Sequence, residues 1–125
     1  MSADSARFSR AAAEAELERI ASWWAERLPD EEHGGFVGEI DAQGILVPGA
    51  SKGIILNSRL LWFFSEMARH GNDDRFAALS TRAYRYLVDY FDDPEHGGAV
   101  WELDPTGPVL VDRKQIYAIC FCIYA

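Results

Sequence analysis

Leu17, Ile20, Ala21, Trp24 and Leu28 recur at intervals of three and four, while Glu14, Glu18, Arg19 and Glu26 lie off that line. This is the pattern of a helix that buries one face. Phe76, Leu79, Ala83, Tyr86, Leu87 and Tyr90 repeat the spacing, with Arg82, Arg85 and Asp89 between them. Two other segments, 54–64 and 116–125, are apolar on nearly every side, as a helix contacted all round must be. The pattern therefore predicts two one-sided outer helices and two enclosed inner ones. Between Met67 and Phe76, Gly71 supplies a stop and Asn72, Asp73 or Asp74 a start, so one inner helix turns directly into the next outer one.

A repeat organises these elements. Glu32-His33-Gly34-Gly35-Phe36-Val37-Gly38-Glu39-Ile40-Asp41 returns as Glu95-His96-Gly97-Gly98-Ala99-Val100-Trp101-Glu102-Leu103-Asp104, and every matched pair is 63 residues apart. Seven of these pairs are identical, and Gly44 and Gly107 extend the match. Each copy reads as a β-hairpin: two glycines, alternating apolar and acidic positions, then Ala42-Gln43-Gly44 or Pro105-Thr106-Gly107 as the turn. The unit is outer helix, hairpin, inner helix, short turn. One-sided and all-apolar helices in alternation imply two concentric layers. The expected fold class is all-α: a partial (α/α)6 toroid of about two helix pairs, with short β-hairpins between outer and inner helices. A six-pair ring of this period takes on the order of 380 residues. Residues 1–125 are thus read as the N-terminal part of a single barrel domain, with the apolar run at 116–125 left as an exposed edge open to self-association.

Composition narrows the function. The chain is 49% hydrophobic and 26% charged, as globular chains are, and its net charge of −8 disfavours nucleic acid and anionic lipid. No apolar run reaches the ~18 to 20 residues that span a bilayer, and Met1-Ser2-Ala3-Asp4 has no basic, then apolar, leader pattern. Cys120 and Cys122 match neither a disulfide framework nor C-x-x-C spacing. A cytoplasmic setting is expected. There is no Gly-rich phosphate loop and no metal-ligand spacing, so neither a nucleotide nor a metal cofactor is expected.

Arg59 places a permanent charge in an apolar helix. Its guanidinium must either be paired in a structural ion pair or line a wet cavity at the centre of the ring, where its five-donor fork could hold hydroxyl or carbonyl oxygens of a substrate. Tyr117 aligns with Ile55 at an offset of 62, one helical turn before Arg59, and is either a second cavity residue or a core tyrosine. His33 and His96 share one repeat position beside Gly-Gly, which suggests a turn role, and His70 suits a helix C-terminus. Glu39 with Asp41, and Glu102 with Asp104, read as hairpin surface or hairpin contacts rather than a hydrolytic pair. Trp23, Trp62 and Trp101 read as core rings before sugar platforms.

Ser51-Lys52-Gly53-Ile54-Ile55-Leu56-Asn57-Ser58-Arg59-Leu60-Leu61-Trp62, with Asp112-Arg113-Lys114-Gln115-Ile116-Tyr117-Ala118, resembles the N-terminal part of the N-acylglucosamine 2-epimerase family. The likeness runs from about Leu17 onward and is greatest to the family's cellobiose 2-epimerase branch. It implies an (α/α)6 barrel enzyme that epimerises sugars without a redox cofactor. In that branch C2 of the reducing-end glucose is inverted by proton transfer through an enediolate. By this resemblance Arg59 and Tyr117 are substrate-binding residues. The acid/base histidines lie beyond residue 125, so no catalytic residue is assigned within the chain and it is expected to be inactive alone. The competing expectations are an aldose–ketose isomerase or glycosidase on the same barrel, and a non-catalytic helical-repeat module.

Overall fold

The computed structural model describes residues 8–71 and 73–125. The readings placed on Met1–Asp4 and on Asn72 lie outside the described residues. Helix α1, Arg10–Arg27, is followed by the first hairpin, and strand β1, Lys52–Gly53, leads into helix α2, Ile54–His70. Helix α3, Asp74–Tyr86, continues into a π-helical turn, Leu87–Phe91. Strands β2, Glu102–Leu103, and β3, Val109–Val111, form the second hairpin before helix α4, Ile116–Tyr124. The order is the one the repeat predicts, and α1 and α3 lie outside α2 and α4 in two layers.

Local chemistry starts and stops these helices. Ser9 caps α1 by accepting from the Ala12 N–H, and Asp73 caps α3 by accepting from the Arg75 N–H. Gly71 ends α2 by donating its N–H to the Met67 carbonyl, with extended rather than left-handed backbone. In the first turn of α2 the side chains of Asn57 and Ser58 donate back to the carbonyls of Gly53 and Ile54.

The core runs through the middle of the unit. Phe36, from the first hairpin, stacks on Phe64 of α2 with ring centroids 5.9 Å apart, and Phe64 stacks on Phe76 of α3 at 6.3 Å. The first hairpin is reduced to a single antiparallel bridge, Ile40 to Leu46, while the second has paired strands. Strand β1 pairs antiparallel with β2, Lys52 opposite Leu103, so the lead-in to one inner helix is stitched to the next hairpin.

Two expectations need correction. Tyr90 does not continue the buried stripe of α3: it is half-exposed and stacks on Tyr86, while Phe91 takes the core position. The π turn adds one residue to the helix and so rotates the following side chains. It also explains the offsets, because the fully buried Ala21 and Ala83 are 62 apart whereas the loop residues behind them are 63 apart. Nor is α2 enclosed: Arg59 and Trp62 lie on a face that α3 leaves uncovered, while in α4 the exposure of Ile116, Tyr117, Ile123 and Tyr124 is that of the open edge expected of the run 116–125. Two helix pairs supply neighbours on only some sides.

Candidate functional site

Each inner helix is anchored at its N-terminal side by the same device. Asp30, in the first loop, accepts the N–H groups of Glu32 and His33 through Oδ1, and its Oδ2 accepts from Lys52 Nζ at 2.7 Å. Lys52 also donates to the Gly34 carbonyl at 2.8 Å and lies 5.0 Å from the Tyr86 ring centroid. In the second copy Asp93 accepts from Glu95, His96 and Lys114 in the same way. Burial alone would raise the Asp30 pKa, but the Lys52 hydrogen bond, the loop N–H groups and the Lys52 charge together lower it. The Lys114 hydrogen bond, with the His96 N–H, holds Asp93 well below the usual carboxylate range. Arg82 of α3 closes over the first loop, donating from Nε to the Gly35 carbonyl and from Nη2 to the Asp30 carbonyl.

These anchors set α2 and α4 side by side. Between them runs a groove of about 390 Å³ lined by Ser58, Arg59, Trp62, Phe63, Phe121 and Tyr124. The Arg59 guanidinium carbon lies 4.9 Å from the Phe121 ring centroid. No carboxylate pairs with Arg59 among the described residues, so the ion-pair alternative is not realised there. Tyr117 meets Phe121 edge-on at 5.0 Å and is exposed. It reaches the groove only through Phe121. Ser58 Oγ lies 3.1 Å from Cys122 Sγ and fixes the register of the two helices at the groove floor. Burial raises the Cys122 thiol pKa, so this cysteine is held as a neutral packing group.

The remaining candidates fall elsewhere. The backbone N–H groups of His33 and His96 both serve the Asp-capped loop, as the turn reading expects, and neither ring lines the groove. Asp41 and Asp104 cap their hairpin turns, Asp41 accepting from Gln43 and Ile45, and Asp104 from Thr106. Glu102 accepts from Ser51 Oγ, tying the second hairpin to the lead-in of α2. Trp62 departs from the core reading: it is 41% exposed and stacks on Tyr124 within the groove. Trp23 and Trp101 instead carry Arg27 and Arg113 on their faces. Phe121, Tyr124 and the Lys52–Asp30 anchor were not singled out from the sequence. Asp30 and Asp93, one repeat apart, were the available signal for the anchor. Among the described residues no cluster of three His, Cys, Asp or Glu side chains is placed to hold a metal ion, and no helix is long and apolar enough to cross a membrane.

Residues 34–125 match the N-acylglucosamine 2-epimerase (GlcNAc 2-epimerase) family. A cellobiose 2-epimerase of Bacteroides fragilis is 47% identical over 106 residues, which are 85% of this chain and 27% of that protein. The solved cellobiose 2-epimerase of Spirochaeta thermophila superposes with a TM-score of 0.81 at 32% identity, covering 89% of this chain and 28% of its own. A D-mannose isomerase superposes with a TM-score of 0.83 at 24% identity, a likeness of fold. The chain thus spans about a quarter of the length of these relatives, and its helix pairs correspond to part of their α/α toroid.

Proposed function

Because this chain belongs to the N-acylglucosamine 2-epimerase family, we propose that it forms the substrate-facing front part of a carbohydrate 2-epimerase acting on cellobiose-type disaccharides. The observation that carries this reading is the guanidinium of Arg59, held over Phe121 in an aromatic groove with no carboxylate partner among the described residues. In this reading the reducing-end ring opens and a base removes the C2 proton. The electron pair is delocalised into an enediolate across C1 and C2, and a proton returned to the opposite face inverts C2.

Arg59 donates from its planar fork to the oxygens on C1 and C2 as negative charge develops there. The apolar ring walls lower the local dielectric and strengthen that hydrogen bond. Tyr117 is a substrate-contacting neighbour, positioned beside Arg59 by the shared Phe121. The proton-transfer pair is supplied from beyond residue 125.

Two assays test the reading. The purified chain incubated with cellobiose should yield no glucosyl-mannose. A chimera carrying the chain in place of the matching 106 residues of the Bacteroides fragilis relative should yield it. The products from cellobiose, mannose and N-acetylglucosamine identify the preferred sugar. Conversion by the chain alone, or a folded chimera without epimerase activity on any of the three, contradicts the proposal.

A further inference from the structure

Most glycines in this chain have a visible reason. Gly34, Gly35, Gly97 and Gly98 have positive φ, and a Cβ on Gly38 would collide with the Ser51 carbonyl. Gly53 has neither reason: its φ is −93°, in the region any residue adopts, and a Cβ there would meet nothing within 4 Å. As the N-cap of α2 it also makes no side-chain bond, where a serine or aspartate would satisfy a first-turn N–H. What a glycine leaves at this position is room. Gly53 opens onto a pocket of about 270 Å³ between the lead-in to α2 and the second hairpin, walled by Gly38, Ser51, Ile55, Trp101 and Glu102 among others. Helix α4 takes no part in these walls.

The walls suit a sugar ring. Trp101 offers an aromatic surface and is steadied by Arg113, whose guanidinium carbon lies 4.6 Å from the ring centroid. Glu102 accepts from Ser51 Oγ through Oε1, and its Oε2 has no partner among the described residues, so it is left to accept from a hydroxyl. An apolar wall with a few placed polar groups is the make-up of a binding site, and the volume lies below the ~300 Å³ at which sites for drug-sized molecules begin. It fits one ring. Ile55 in this pocket and Arg59 in the groove stand four residues apart on one face of α2, about 6 Å along its axis, a distance on the scale of one pyranose ring. We propose that the Gly53 pocket is a subsite for the second ring of a disaccharide whose reacting ring lies at Arg59. This assignment rests on the sugar-binding role given to the Arg59 groove, and it makes the pocket the source of a preference for two-ring over one-ring sugars.

Calorimetric titration of the chimera with cellobiose and with glucose tests this, because it reads binding apart from turnover. Cellobiose should bind about tenfold more tightly than glucose. Gly53→Leu fills the pocket without backbone strain, so that ratio should fall to about one while the thermal midpoint holds. Glu102→Gln keeps the shape but weakens the acceptor, and should lower the ratio about threefold. A parent protein that binds the two sugars equally overturns the inference. So does a folded Gly53→Leu protein that keeps the parent's ratio or, if that variant fails to fold, a Glu102→Gln protein that keeps it. An inactive chimera that still shows the ratio and its loss contradicts the epimerase reading and supports the subsite.

Discussion

At Lys52 a single ammonium group joins the first loop, the lead-in to α2 and the ring of Tyr86, and it is 1% exposed while doing so. Removing it leaves the Asp30 carboxylate without its charged partner in a largely buried place. Lys52→Met should therefore destabilise the fold by about 3 kcal/mol in urea unfolding. Lys114→Met, at the open copy of the same anchor, should cost much less. Because the Asp30 pKa is lowered on folding, its contribution is complete above the ordinary carboxylate pKa of about 4 and fades as pH falls through the folded value. Asp30→Asn should flatten that acid limb of the stability curve.

Tyr86 titrates with the opposite sign. Burial, then the neighbouring Tyr90 and Asp30, push its phenol up to about 12, so its contribution holds below pH 10 and is lost as pH rises toward 12. Its hydroxyl has no hydrogen-bond partner among the described residues. Tyr86→Phe should thus be neutral or stabilising by up to about 1 kcal/mol, with less loss of stability in alkali. Arg59 was legible in the sequence because a charge interrupts an apolar run. Lys52 was not, because a lysine beside glycine in a lead-in segment gives no periodic signal of burial. Trp62 misled for the complementary reason: helical spacing does not say which face of an inner helix is left bare.

Among the elements, the two Gly-Gly loops share a sequence but carry different constraints. Gly35 has φ +62°, and a Cβ there would lie 2.5 Å from the Tyr86 ring. Gly98, its counterpart in the second copy, has φ +75° with Ile119 Cδ1 3.3 Å from where a Cβ would lie, and Gly97 beside it has φ +75° with open space around it. Gly97→Ala should cost about 1 kcal/mol of backbone strain alone. Gly35→Ala adds a clash in a packed loop and should cost at least about 2 kcal/mol more in the same unfolding assay. Equal costs would show that the ring of α3 moves aside freely. The hairpins, the one-sided outer helices and the turn at Gly71 were all legible, since glycine placement and apolar spacing encode them locally. The π turn was not. A five-residue helix step such as Leu87–Phe91 reads as continuous helical spacing, and only the shift from a 62- to a 63-residue offset betrays it.

Across the whole molecule, the repeat predicted two layers of helices, and the fold has them, with Arg59 lining a groove between α2 and α4. The enclosure of α2 was overestimated, because an apolar segment announces the neighbours it is suited to, not the neighbours present. The groove at Arg59 is the basis for the proposed sugar chemistry. The most direct test of that chemistry is the turnover of cellobiose by the chimera bearing Arg59→Lys, measured beside its thermal midpoint. Lysine keeps the charge but loses the planar fork, so turnover should fall about 100-fold while the midpoint moves little. Unchanged turnover would contradict a role for Arg59 in stabilising the enediolate.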